Sequence, residues 1–525
     1  MKHKILCMMG AVLLIMSTWS CREESDTLMS YDHNESLVFK AADTSFAAKF
    51  KIMWNGMNQY YGIWDYEAEQ GIDWDAVYDE YYPQFAALDQ RGKNETVTDD
   101  ELKLLLEKVL KPLHDGHFYL KMKNHKTGST VEYNPAWEKI ASRDDWPIAL
   151  SFAPNLSYYV SNGEIETDNT GAPIFMEYST NLMDIATKFY GTPGIGYQWI
   201  KAKISELEAL ASPTEMQAFQ LQQLKELQSE LIIVASTTFD VDCYNYLQSK
   251  YEFLNVPGFD HIDPILSDVG IRLKYALLKG NIAYFHVSRF AMISYLDEKE
   301  ANQKFDMSNP STKNYVEQIR QVWKAWFDAI QQLHKNGQLG GIIIDVRSNT
   351  GGSVGDFQYC VGALLPEGGY QLGYQRVKRG SGRYDYSALM PAIACTMSQP
   401  HEIINDKPVV LLTNSMSVSM SEMSTLGVKL MNNGTVIGKR TWGANCPLAS
   451  NEDYSVNYTG YIGVEGVTPV FGKVHTFASF TFDHKLIESV GITPDIEMNL
   501  DETLFKTTGQ DTQLDRALQF IRTGN

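Results

Sequence analysis

Three short stretches have the residue types and spacing to do chemistry: Val418-Ser419-Met420-Ser421-Glu422, Leu113-His114-Asp115-Gly116-His117, and Arg347-Ser348-Asn349-Thr350-Gly351-Gly352. Ser419 follows an apolar run and opens a segment with Met423, Leu426, Leu430 and Met431 at helical steps, so its hydroxyl sits at a helix N-terminus. Backbone N–H groups and the helix dipole favour negative charge there, which is where an acyl-transfer oxyanion would form. The same Ser-x-x-Glu spacing is also that of a capping box, in which Glu422 reaches back to the first turn. His117 stands where a helix gives way to the strand-like Phe118–Met122. An imidazole in such a place can take a serine proton and return it. His114 is its local competitor. The glycine turn lets backbone N–H groups approach a ligand closely, and without a Gly-Lys-Ser/Thr sequence it is not a phosphate loop.

The elements that must position these residues follow from periodicity. Residues 38 to about 110 read as three helical segments, the third capped by Asp99 or Asp100. Gly116 would let that third helix stop with positive φ. Trp54, Tyr60, Tyr61, Trp64 and Trp74 lie at helical steps, the pattern of core packing, and the same rings would suit a sugar-stacking platform. From about Leu273 the texture is α/β: a strand at Asn281–Val287, a helix at Tyr315–Asn336, a buried strand at Gly340–Val346 and another at Val409–Leu412. Between these parts, residues 125–272 contain a helix pair near 197–211 and 213–231 and a strand at Leu231–Val234. They read as an inserted module, a spacer or a degenerate peptide-binding domain.

The first 20 residues have two lysines, an apolar core and small residues leading to Cys21, the layout of an export signal. Ser20-Cys21 resembles a bacterial lipobox, so Cys21 is expected to be lipidated. The acidic run Arg22-Glu23-Glu24-Ser25-Asp26 resembles the surface-export signal of Bacteroidetes-type lipoproteins. The expected location is the outer membrane, exposed at the cell surface, with the periplasm as the alternative. The net charge of −19 excludes a basic nucleic-acid or anionic-lipid face. Cys243, Cys360, Cys395 and Cys446 show no CxxC spacing, so neither a zinc site nor a dense disulfide scaffold is expected.

The stretches WNGMNQYYGIWDYE, LHDGHFYL, GGIIIDVRSNTGG, VVLLTNSMSVSMSE and IESVGITPDIEMNL, in this order, resemble the C-terminal-processing and tricorn-type serine peptidases, specifically the tricorn-like branch. The resemblance covers about residues 50–120 and 273–500. It implies a layered, ClpP/crotonase-like α/β catalytic domain at 273–500. Before it come a signal peptide (1–20), a lipid-anchored linker (21–37), an N-terminal helical domain carrying the histidine (38–124) and the unassigned middle segment (125–272). A C-terminal helix (501–525) ends the chain.

Carried over residue by residue, the resemblance implies Ser419 as nucleophile, His117 as base and Glu488 as the acid completing the charge network. Asp115 and Asp345 are the substitutes for that acid. The oxyanion donors would be Met420 N–H with that of Gly351 or Gly352, while Ser417 and Ser421 support the turn. The processing branch uses a lysine 25 residues after its serine. Here that position is Ala444, and Lys439 is five positions early. The implied activity is a cofactor-free, metal-free serine endopeptidase acting on peptides or unfolded proteins and touching the membrane only through its lipid. The alternative is a catalytically silent surface lipoprotein binding peptides or glycans. Ser419 lies 302 residues beyond His117, so the enzyme reading requires the helical half to fold back onto the catalytic one.

Overall fold

The computed structural model describes residues 44–92, 95–179, 195–214, 270–448 and 460–524, apart from positions 309, 381 and 465, together with parts of 215–225. Cys21, its flanking export signal and the expected strand Leu231–Val234 lie outside the described residues. Among the described residues no helix is long and apolar enough to cross a membrane.

Four helices, Phe46–Tyr60, Trp64–Glu69, Trp74–Asp89 and Asp99–Leu110, open the described chain. The first buries Phe46, Phe50, Met53, Met57 and Tyr60, one stripe at three- and four-residue steps. Thr98 caps the last, accepting the Glu101 N–H, where Asp99 or Asp100 was expected. Asp99 instead accepts from Asn124 and Thr127. Tyr60, Tyr61, Trp64 and Trp74 are at most 1 % exposed, and Trp54 packs edge-on against Tyr78. These rings are core and offer no stacking platform for a sugar.

The strands in chain order are β1 Tyr119–Lys123, β2 Thr130–Tyr133, β3 Phe175–Ser179, β4 Arg272–Leu278, β5 Ile282–Val287, β6 Gly341–Asp345, β7 Tyr370–Val377, β8 Met390–Ala394, β9 Val409–Thr413, β10 Gly434–Gly438, β11 Tyr461–Ile462, β12 Val470–Lys473, β13 Phe477–Phe480 and β14 Ile496–Glu497. Seven form one sheet in the order β14-β10-β9-β6-β5-β4-β3. It is parallel from β14 to β5 and antiparallel beyond. Both faces are covered, which is why β6 and β9 read as unbroken apolar runs. The helix Pro310–Lys335 packs on one face, with Trp326 stacked on Phe285 at 4.5 Å. Leu514, Ala517 and Leu518 of the helix Thr512–Thr523 pack on the other, against Ile343, Val410 and Leu412. This is the expected layered α/β domain. β3, from the segment with no assigned role, extends its edge.

A second sheet, β11-β12-β1-β2, performs the fold-back. β1 begins two residues after His117 and pairs antiparallel with β12, Leu120 opposite Gly472. Phe118, Leu120 and Met122 share one core with Cys446, Ile462, Val470, Val474 and Ala478. At the C-terminus there are two helices where one was expected, Glu502–Thr508 and Thr512–Thr523. Gly509, at φ 80°, ends the first.

Asp345 closes β6 as a structural acid. It accepts from Arg347 Nε at 2.9 Å, Arg347 Nη2 at 2.6 Å and Tyr284 OH at 2.8 Å. Arg347 also donates to both oxygens of Asp511, which caps the C-terminal helix. The group is sealed from water. Removing its cation strands two buried carboxylates, a loss of roughly 3–5 kcal/mol. Arg347→Leu is therefore expected to lower unfolding stability by that amount in a urea titration.

Candidate active site

β9 delivers the chain to a turn held by its Asn414, Ser417 and Ser421 side chains. Asn414 Oδ1 accepts from Ser348 and Met416 N–H. Ser417 Oγ donates to Val346 O at 2.8 Å, and Ser421 Oγ donates to Asn349 O at 2.6 Å. The serine turn and the Arg347–Gly352 turn are thus stitched together, with Ser417 and Ser421 as supports. Between them Ser419 adopts φ 56°, ψ −113°, a conformation that costs a non-glycine residue about 1–3 kcal/mol. It begins the helix Met420–Lys429, is half-buried, and has its Cβ against Gly351.

Glu422 completes the capping box that the spacing predicts and extends it. Its carboxylate accepts the Ser419 N–H at 3.2 Å, the Thr441 hydroxyl at 2.7 Å, the Gly443 N–H at 2.8 Å and the Ala444 N–H at 2.7 Å. Burial raises its pKa, and these four donors oppose the rise.

The glycine turn is built by close approach. A Cβ on Gly351, at φ 92°, would lie 2.7 Å from Ser419 Cβ, and one on Gly352 would lie 2.0 Å from Phe290 O. Gly351 N–H donates to Asn349 Oδ1 at 2.8 Å and is already used. The N–H groups of Gly352 and Met420 meet no acceptor among the described residues.

The histidine loop arrives from the other half of the chain. Asp115 Oδ1 accepts the N–H groups of His117 at 2.7 Å and Phe118 at 2.9 Å. Gly116 donates to Glu488 Oε1 at 2.8 Å and accepts from Trp442 Nε1 at 3.0 Å. The preceding helix ends at Leu110, and Gly116 has no positive φ, contrary to the helix-stop expectation. Glycine is needed for a different reason: a Cβ there would sit 2.3 Å from Gly443 O and 2.6 Å from Ala444 Cβ. Gly116 therefore rests on the same Gly443-Ala444 segment that Glu422 ties to Ser419. His114, the competitor, turns away and binds Glu67 with its N–H and its ring.

No hydrogen bond joins the His117 ring to Ser419, and His117 Nδ1 is buried without a partner among the described residues. Active-site bonds of this kind often tighten only around substrate. Glu488 does not reach the ring. Its two oxygens accept from Gly116 N–H and, at 2.7 Å, from Cys446 N–H. Burial pushes His117 down to about 3, helped by the charges of His475 and Lys473, so the ring is neutral at pH 7. Burial, with the Asp115 charge beside it, holds Glu488 well above the usual carboxylate range.

Two rival groups are placed elsewhere. Lys439 Nζ is paired with Glu497 at 2.9 Å and Asp144 at 3.2 Å, and the pairs raise its pKa against desolvation. Cys446 is buried with its thiol pushed well up, and its Sγ accepts from Ser479 N–H. The residues that the sequence did not single out are Thr441, Trp442 and His475. Their partners lie far off in the chain, so no local spacing marks them.

Residues 281–498 match the family model described as peptidase family S41. Tricorn protease of Thermoplasma volcanium is 25 % identical over 190 residues, 34 % of this chain and 14 % of the relative. The "Probable CtpA-like serine protease" of Staphylococcus aureus is 23 % identical over 210 residues, 37 % of this chain and 40 % of the relative. The chain thus spans well under half the length of these relatives. The solved structure of mature CPAF aligns over 91 % of this chain and 98 % of its own, at 11 % identity and a TM-score of 0.44.

The depressed histidine gives a stability signature. An unfolded histidine protonates near ~6.5 while folded His117 stays neutral to about 3, so acid favours the unfolded chain between those values. The wild type should lose more stability than His117→Gln as pH falls from 6.5 to 4, read from urea midpoints at each pH.

Proposed function

We propose that the chain, whose residues 281–498 match the model of peptidase family S41, is a serine endopeptidase that hydrolyses peptide bonds of peptides or unfolded proteins through an acyl-enzyme on Ser419. The observation that carries this reading is the setting of Ser419. It is held at positive φ at the start of a buried helix, beside two N–H groups, of Met420 and Gly352, that have no acceptor among the described residues. An oxyanion at that point would accept from both, an arrangement whose loss typically costs about 10²–10³-fold in rate per donor.

In the proposed reaction neutral His117 takes the Ser419 proton as Oγ attacks the substrate carbonyl. It then passes that proton to the leaving amine as the C–N bond breaks. Water repeats the sequence against the acyl-enzyme, giving its proton to His117 and releasing the acid with Ser419 restored. A histidine already neutral in the resting protein suits the first step. In this reading Glu488 acts on the loop, holding Gly116, and not on the imidazole. Lys439, paired and charged, takes no part.

The export features extend the proposal. The protein would be anchored by lipid at Cys21 in the outer membrane and exposed at the cell surface, acting on peptide or protein substrates that reach it there.

Ser419→Ala is expected to abolish hydrolysis of a peptide library, read by mass spectrometry, and labelling by a peptidyl phosphonate, with circular dichroism unchanged. His117→Ala should lower kcat by about 10³-fold or more. Phosphonate labelling retained by S419A would overturn the assignment.

A further inference from the structure

Behind the His117 loop three buried side chains converge. Donor atoms of Asp115, His475 and Glu488 all lie within 4.8 Å of one another. None of the three is more than 2 % exposed. His475 Nδ1 lies 2.7 Å from the carbonyl of Phe477, which can only accept, so that nitrogen carries a hydrogen. Its Nε2 faces Asp115 Oδ2 at 3.4 Å, and neither atom has another partner among the described residues.

A neutral ring with its hydrogen on Nδ1 presents a lone pair at Nε2, and an ionised carboxylate presents another. Two lone pairs facing each other in a dry interior need something positive between them. A metal ion would want about four ligands. The cluster offers two uncommitted atoms, because both Glu488 oxygens and Asp115 Oδ1 are already taken by backbone N–H groups. A proton needs only two. The neighbouring groups are the ring of Tyr61 at 5.2 Å, Glu67 bonded to its hydroxyl, Lys473 and His117 itself. Burial raises the Asp115 pKa, consistent with a proton in reach of its carboxyl.

We propose that His475 is a positioning residue for His117, acting through one proton shared between His475 Nε2 and Asp115 Oδ2. That proton fixes the plane of the Asp115 carboxyl, whose other oxygen holds the backbone N–H groups of His117 and Phe118. The ring of His117 is aimed by this loop, since its own Nδ1 has no partner among the described residues. The importance for catalysis rests on the reading of His117 as base; the clamp itself does not.

The experiment compares His475→Leu, His475→Gln and Asp115→Asn in the full chain. Leucine removes the bridge. Glutamine puts an amide N–H within reach of Asp115, and asparagine puts one opposite Nε2 while keeping an oxygen for the two backbone donors. Hydrogen exchange at the His117 and Phe118 amides reads the clamp, and kcat and KM on a peptide substrate read its consequence. H475L should lose amide protection and drop kcat about 10–100-fold with KM within about 2-fold, the cost of a small misplacement. H475Q and D115N should keep protection, and H475Q should restore most of kcat. Unchanged protection in H475L, equal damage in H475Q, lost protection in D115N, or stoichiometric metal in the purified protein would each overturn the proposal. Absent Ser419-dependent hydrolysis with the exchange pattern intact would count against the peptidase reading alone.

Discussion

One buried carboxylate organises this molecule. Glu422 takes four donors, from Ser419, Thr441, Gly443 and Ala444, in a place without water. Hydrogen bonds to a charged group contribute roughly 1.5–3 kcal/mol each, against a desolvation cost of several kcal/mol for a lone ion. Four such bonds offset part of that cost, burial still raising the pKa, and they link the start of the serine helix to the loop after β10. The strained Ser419 backbone persists because its surroundings fix it from three sides. These are Glu422 on its N–H, Gly351 on its Cβ, and the Ser417 and Ser421 hydroxyls on either side.

The histidine side reaches the serine through that link and through Trp442, whose N–H donates to Ser417 O at 3.0 Å. β1 is zipped to β12, Gly116 lies on Gly443-Ala444, and Trp442 binds the Gly116 carbonyl. Ala444, where the processing branch has its lysine, gives its N–H to Glu422. Its small side chain leaves room for the backbone of the histidine loop. The small residue at 444 thus makes room for the histidine loop, a contact visible only when the two halves of the chain are together.

What the sequence discloses and what it hides divide along the range of the interactions. β6 and β9 are legible because both faces are buried and every residue is apolar or closes a strand. The capping box is legible because Ser419 and Glu422 are three residues apart. Gly116 is legible as special but for the wrong cause, since its contact is with residues more than 300 positions away. Trp64 and Trp74 have the spacing of core residues that would also suit a sugar platform, and their packing on each other at 4.8 Å, with Trp64 on Tyr61, decides for the core. Glu488 was expected on the imidazole and instead serves the backbone beside it, a distinction of a few ångströms that no motif encodes. Thr98 in place of Asp99 is a one-residue shift in a cap. The edge strand β3 comes from a segment whose periodicity gave no hint that it joins the sheet.

In the proposed reaction a hydroxyl, an imidazole and two backbone N–H groups from remote parts of the chain share one reacting carbon. The most direct measurement is a crystal structure of the protein carrying a peptidyl phosphonate. Phosphorus is expected on Ser419 Oγ, with one phosphonyl oxygen accepting from both Met420 and Gly352 N–H, and His117 Nε2 within about 2.6–3.2 Å of a second oxygen. An adduct on another residue would contradict it. So would an adduct on Ser419 with its oxygens bound to neither N–H and the His117 ring turned away.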